Sequence, residues 1–431
     1  MKKLLSFLLI FCILLSFASS VFADDVSKCN KCEVSVFADN AWYSVDALEA
    51  TYENNLYLSM RSLAQAFSST SKSFAFEYNY TASDGSYFTI TRGGTYEAKQ
   101  TDNPDDAGYL ELKRNRLFVD GEEKRYYSFR FGKPEDLYIN VLDICFLFDI
   151  DASLISQNAV WFKLDTPFCA DIASLDKDGY FDSVNCVLLG NINSGNISFS
   201  KNESSSFPIA SITKLMSYLV IMDAVDEGRI TLDDPVILSD NVQSMSESEN
   251  GLIKMEKGQI STVRELIDAM LVASSNEASV ALAEYVYGSE SAFTTQMNRR
   301  AKSLGLTSAK FYNCNGLPIY SRSVFPVKRQ NCMSGADLFS LVTFIVQKHP
   351  EITDITSRQF VYLPTFDYNT ANSNPMVFNL SNVNGLKTGN TNLAGSCLVA
   401  TDTDGNVAIV LGAEDNALRG RIAEILLRSC R

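Results

Sequence analysis

Two stretches in the first third of the chain repeat one pattern at one spacing. VFADN at 36–40 precedes LYLSMRSLAQAF at 56–67; LFVDG at 117–121 precedes LYINVLDICFLF at 137–148. Both pairs are offset equally, with no gap between them. Each copy predicts a short strand, a turn at Asp39-Asn40 or Asp120-Gly121, a second strand and a helix. Strands follow each helix: SFAFEY and YFTITR after the first, AVWFKL after the second. A period of this kind fixes the fold of a region before any site is sought.

The character changes after Pro167, and the main boundary is placed near 166–175. NCVLLGNINSGNISFSKN at 185–202 predicts a strand, a turn and a strand. Helical patterns then dominate from 208 until an apolar C-terminal hairpin. With 431 residues, 46% of them hydrophobic, the chain can bury more than one core. A net charge of −14 argues against nucleic acid as a partner.

MKKLLSFLLIFCILLSFASSVFADD opens with two lysines, an apolar run and small residues before Ala23. It reads as a secretory signal peptide over 1–23, giving an exported, cell-wall-associated protein. Loss of Cys12 with the leader leaves an odd number of the 10 cysteines. Cys29 and Cys32 form a lone CxxC, without the second pair a zinc site would need. No metal and no cofactor is expected.

FPIASITKLMSYLV at 207–220 carries the first chemistry. Ile212, Leu215, Met216 and Leu219 recur at helical spacing, so a helix is expected to start at Ser211. Ser211 and Lys214 then lie three apart on one face. A serine hydroxyl is a weak nucleophile until a base takes its proton. A buried lysine with a lowered pKa can be that base. The plain alternative is a helix cap beside a solvated lysine. The chain has one histidine, His349, so a Ser-His-Asp triad would rest on it alone.

Two further stretches matter. STVRELIDAMLVASSNEASVALAEY at 261–285 predicts two helices meeting at Ser274-Ser275-Asn276, with a capping box at Thr262 and Glu265. NGLKTGNT at 384–391 predicts a strand that leads into SCLVATDTDGNVAIVLGA at 396–413, a hairpin turning at Asp404-Gly405. Lys387 and Thr388 can hold a carboxylate there, and Gly389 lets a substrate approach the backbone. An ordinary helix corner and a charged edge strand are the plain alternatives.

In the order SxxK, SxN, KTG, these motifs resemble the signature set of penicillin-binding proteins and serine β-lactamases. Residues from about 180 to 431 look most like the low-molecular-mass D-alanyl-D-alanine carboxypeptidases, the S11 serine peptidases. PIASITKLMSYLV, MLVASSNEASVALAE, LDDPVILSDNV, NCNGL and LRGRIAEILL carry the likeness. The first third loosely resembles the copper amine oxidase N-terminal-like domain; the name implies no copper here. The fold class is therefore α+β. Repeated small α+β units span 33–165 as a wall-binding or spacer module, and a DD-peptidase domain spans 175–431. The resemblance implies that this domain is an antiparallel sheet flanked by helices, plus a helical subdomain.

It also implies roles. Ser211 forms an acyl-enzyme with the penultimate D-Ala of a peptidoglycan stem peptide, and Lys214 is its base. Ser274 and Asn276 assist proton transfer. Lys387, Thr388, Gly389, Asn390 and Arg419 bind the substrate, with Lys387, Thr388 and Arg419 on its terminal carboxylate. The amides of Ser211 and Asn390 hold the oxyanion. β-Lactams would act as inhibitors. Ser275 replaces the family's usual glycine and is expected to narrow the site; Glu277 replaces an aspartate; Asn390 stands where a histidine or aromatic is frequent. Two alternatives stay open, a serine β-lactamase and a non-catalytic penicillin-sensing or wall-binding protein. No ExxLN-like stretch occurs in 277–386 to support the first. The oligomeric state is not set by the sequence.

Overall fold

The computed structural model describes residues 29–50, 55–81, 85–96, 110–156, 158–320 and 328–430. The leader expected at 1–23 lies outside the described residues, as does the side chain of Cys29. The chain divides into two compact units, one ending at Tyr180 and one starting at Phe181. Among the described residues, no helix is long and apolar enough to cross a membrane.

In the first unit, β1 (Cys29–Ala38) and β2 (Ala41–Ala50) form a hairpin, followed by β3 (Asn55–Ser59) and helix α1 (Met60–Phe67). β4 (Phe74–Thr81) and β5 (Gly85–Arg92) form a second hairpin. β6 (Leu110–Arg114), β7 (Leu117–Val119), β8 (Glu122–Lys124), β9 (Tyr127–Phe131) and β10 (Leu137–Asn140) precede helix α2 (Val141–Phe148). The last hairpin is β11 (Asp151–Ser156) and β12 (Ala159–Lys163). Asp39 and Asn40 have φ of 49° and 62°, and Asp120 and Gly121 have 51° and 88°. Positive φ at both central residues is the geometry whose twist suits a two-residue hairpin. Ser59 caps α1 by accepting from Ser62 N, and Asn140 caps α2 by accepting from Leu142 N.

Eight strands run in the order β11-β12-β1-β2-β3-β10-β9-β6, and four in the order β4-β5-β7-β8. β3 and β10 pair antiparallel with Leu58 opposite Ile139. The hairpins that follow the helices cross over. β12 pairs in parallel with β1, and β5 in parallel with β7. Phe67 of α1 is fully buried and meets Phe74, Phe148 and Phe162 edge-on.

The second unit centres on five antiparallel strands: β13 (Cys186–Asn191), β14 (Asn196–Lys201), β15 (Val383–Thr391), β16 (Gly395–Asp402) and β17 (Asn406–Ala413). Their order is β14-β13-β17-β16-β15. Val407, Ile409 and Leu411 of β17 are buried, as are Val410 and Ala408 between them. A strand apolar on both faces is covered on both faces. Helix α3 (Thr213–Asp226) packs with α4 (Val263–Leu271) and α5 (Asn276–Tyr287). Helix α6 (Gly335–Lys348) lies against β13 and β17, and α7 (Asn416–Arg428) against β17 and β16.

Candidate active site

Ser211 does not open helix α3. It lies in a 3-10 turn, Ala210–Ile212, and the α-helix begins at Thr213. Ala210 has φ of 46°, a backbone region most side chains avoid. Two glycines explain why the turn fits. A Cβ at Gly316 would lie 2.0 Å from Ala210 O, and one at Gly389 would lie 2.8 Å from Ser211 N. The KTG strand and the NCNGL segment therefore press directly on the backbone of Ser211.

Lys214 is buried without solvent exposure. Its Nζ lies 2.8 Å from Ser211 Oγ, 2.8 Å from Asn276 Oδ1 and 3.1 Å from Asn315 O. Burial disfavours the charged amine and pulls its pKa down to about 7, against a smaller upward pull from Cys314 and Glu277. Asn315 O is itself held in place. Asn313 Oδ1 accepts from Gly316 N, and Asn331 Nδ2 donates to both Asn313 and Thr213 Oγ1. Gln330 Nε2 bridges Gly316 O and Thr391 Oγ1.

Asn276 opens helix α5, with Nδ2 donating to Asn250 O. Glu277, fully buried beside it, accepts from Leu252 N at 3.0 Å and from Ile253 N. These two side chains tie the 250–253 segment to the motif. Ser275 does not narrow the site by its hydroxyl. It is buried and caps α5, its Oγ accepting from Ala278 N at 2.9 Å. Ser274 is half-buried, with φ of 64°. Among the described residues, no hydrogen bond joins Ser274 to Ser211, Lys214 or Asn276.

On the strand side, Lys387 is buried and donates to Thr388 O at 3.0 Å. Burial, with Lys214 and Arg419 as like charges nearby, pushes its pKa well below the ordinary lysine value. Thr388 Oγ1 donates to Ser373 Oγ at 2.8 Å, and Ser373 N donates to Val272 O. Arg419, on α7, is 4% exposed and donates to Cys397 O on β16. Asn390 is exposed; its Nδ2 lies 3.4 Å from Ser396 Oγ and 3.3 Å from Asn416 Oδ1.

Spacing alone could not have revealed Asn315, Ser373, Asn250 or Gly316. Only Asn315 and Gly316 carried a signal, as members of the NCNGL stretch.

His349 lies apart from this cluster. Its Nδ1 is 3.3 Å from Glu351 and its Nε2 3.7 Å from Asp226. It makes no hydrogen bond to Ser211 among the described residues. Asp223, Asp226 and His349 are a group that could hold a cation, with ligand atoms within 4.8 Å of one another. Lys348 already stands 3.1 Å and 2.7 Å from the two aspartates, and Arg300 2.8 Å from Asp223. These cations balance the carboxylates without a metal.

The arrangement can do acyl transfer: a half-buried hydroxyl faces a buried amine whose pKa is drawn down to about 7, and the strand that carries Lys387 runs alongside. Comparisons with known proteins agree with this chemistry. The sequence model of a family described as D-alanyl-D-alanine carboxypeptidase matches residues 181–415. D-alanyl-D-alanine carboxypeptidase DacF of Bacillus subtilis is 34% identical over 225 residues, which cover 51% of this chain and 54% of that protein. DacC of Escherichia coli is 30% identical over 54% of this chain and 58% of its own length. The chain thus spans somewhat over half the length of these curated relatives. Penicillin-binding protein D2 of Listeria monocytogenes, solved in its ampicillin-bound form, shares 26% identity and a TM-score of 0.50. That likeness covers 58% of this chain and 98% of the other.

Proposed function

Because the chain belongs to the D-alanyl-D-alanine carboxypeptidase family, we propose that it removes the terminal D-alanine from peptidoglycan stem peptides through an acyl-enzyme on Ser211. The observation that carries this reading is the 2.8 Å contact between Ser211 Oγ and Lys214 Nζ, with burial drawing that amine to about 7. Near neutral pH a substantial fraction of Lys214 is then unprotonated and ready to accept.

The cycle proposed here takes its roles from the family resemblance and starts at the Ser211–Lys214 contact. Neutral Lys214 takes the Ser211 proton, and Oγ attacks the carbonyl of the penultimate D-Ala. The amides of Ser211 and Asn390 hold the developing oxyanion, a contribution of about 3–4 kcal/mol in comparable sites. Lys214 returns its proton to the leaving D-alanine nitrogen, and Ser274 assists from its half-buried position. Water then attacks the acyl-enzyme, with Lys214 again as base. Asn276 orients Lys214 and the substrate peptide. Lys387, Thr388 and Arg419 engage the terminal carboxylate, and Gly389 leaves room for the substrate backbone. β-Lactams mimic this peptide and acylate Ser211; ampicillin bound to the Listeria neighbour supports that expectation.

The first unit targets the enzyme to the wall as two copper amine oxidase N-terminal-like repeats. The equal offset of the two motifs and the pairing of Leu58 with Ile139 support a duplication. The two lysines and the apolar run at the start support export.

The test is D-alanine release from a diacyl-L-Lys-D-Ala-D-Ala peptide by the chain from Asp24, wild type beside Ser211→Ala. Release by the wild type alone is expected. Equal release by both would remove Ser211 as nucleophile. Fast nitrocefin turnover with no D-alanine release would move the assignment to a β-lactamase.

A further inference from the structure

The protein contains two tryptophans, and both stand in solvent on one face of the first unit. Trp42 is 57% exposed and Trp161 41%. Scattered exposed apolar residues need no explanation, but these two are in register. Phe37 of β1 pairs across the ladder with Trp42 of β2 on one side and Trp161 of β12 on the other. Ring centroids are 5.0 Å apart for Phe37 and Trp42, and 6.0 Å apart for Phe37 and Trp161. The three rings form a row across three adjacent strands. Their neighbours along the strands, Val36, Val160 and Ala38, point inward and are buried.

Both long edges of the row are polar. By the two-residue period of a strand, Ser35 and Ser44 share the face on one side, and Ser44 donates to Glu33 at 3.1 Å. On the other side Lys163 lies 5.7 Å from the Trp161 ring centre and 2.6 Å from Asp151.

We infer that the Trp42–Phe37–Trp161 row binds a single extended strand of β-linked amino-sugar glycan. The inference deepens the wall-targeting reading of this unit and rests on it. The C–H faces of pyranose rings carry a weak positive edge that suits the negative face of an indole. The in-plane hydroxyl and amide groups of the sugar then reach the serines, Glu33 and Lys163. The strands beneath the rings lie roughly 4.8 Å apart, about the length of one pyranose unit, so a glycan laid along the row reaches both indoles within a few sugars. The rings are tilted by 52° and 72° to one another. A stepped row suits one twisted strand better than the flat face of a crystalline polymer.

Other occupants fit less well. Three aromatic side chains offer about 150–250 Å² each at most, short of the roughly 800 Å² per partner of a stable protein interface. A net charge of −14 opposes a nucleic acid strand.

The test uses the full chain from Asp24. Since no other tryptophan exists, indole emission reports this row alone. Soluble, peptide-free chitooligosaccharides are the probe. Saturable quenching or a blue shift is expected, growing from the disaccharide to the tetrasaccharide. In calorimetric titration, Trp42→Ala and Trp161→Ala should each weaken tetrasaccharide binding about tenfold or more, and Trp→Phe at each position less. Both positions are exposed, so the variants should unfold at the wild-type temperature. Ser211→Ala should bind the sugar as wild type does, which separates this site from the catalytic reading. No emission change with any oligomer would overturn the inference. If wall sacculi then still pellet the chain, the targeting reading survives on another surface; if they do not, both fall. An unliganded emission already blue-shifted, with variants that melt lower, would mean the indoles serve internal packing and would also overturn it.

Discussion

Two buried lysines flank the nucleophile, and the protein treats them differently. On the helical side, Lys214 has three acceptors, Ser211 Oγ, Asn276 Oδ1 and Asn315 O, and each is fixed by the fold. On the strand side, Lys387 has Thr388 O at 3.0 Å and feels two further cations, Lys214 and Arg419. The first environment is complete before any substrate arrives. The second gathers three basic side chains in a buried place, and that crowding together with burial disfavours the charged form of Lys387. The difference matches the proposed division of labour, with Lys214 as the base and Lys387 on the substrate carboxylate.

The comparison can be broken most directly at Lys214. Lys214→Ala should lower kcat/KM for D-alanine release by about 10²–10⁴-fold, as removal of a general base does. Base catalysis needs the neutral amine, so kcat/KM should rise as pH climbs through about 7 and level off above it. A pH profile flat from about 5 to about 9, a range that brackets a base titrating near 7, would break the assignment. Lys387→Ala should cost about 10²-fold, mostly in KM, as loss of one partner of a buried charge pair does. A peptide ending in a carboxamide sharpens the point. Wild type and Lys387→Ala should handle it almost equally, because the anion is gone. The smallest effect is expected at Ser275. Ser275→Gly should change stability by only about a few tenths of a kcal/mol, since glycine is a tolerable cap, and should leave kcat and KM within error. A large gain in kcat would mean that the Ser275 side chain obstructs substrate after all.

What the sequence made legible was local. Residues three apart on a helix are neighbours, so Ser211 and Lys214 could be paired from spacing, even though the helix proper starts two residues later than the apolar pattern suggested. Strand alternation and turn chemistry likewise located β15 to β17, with Gly405 at φ of 83° in the expected turn. The backbone carbonyl of Asn315 was not legible, because any residue type presents one. Ser275 was misread for a related reason: a serine just before a helix serves equally as a cap or as a group facing the cleft, and only the φ of its neighbour decides. Ser274 takes the left-handed turn at 64°, which leaves Ser275 free to cap. Ser373 lies in a segment, NSNP, that carries no periodic signal.

The crossed hairpins of the first unit impose an order of events on its making. β1 starts near the beginning of the described chain, yet its partner β12 ends at Lys163, so the edge of β1 stays open until nearly the whole unit has been synthesised. β5 and β7 are joined by the same reciprocal pairing. Neither half can therefore close its sheets alone, and a chain cut between Arg92 and Leu110 leaves two fragments with open strand edges. Such pairing also raises the sequence separation of contacts, which slows folding. The unit therefore locks only when its last strand is in place, so a chain truncated before Lys163 keeps the outer edge of β1 unpaired.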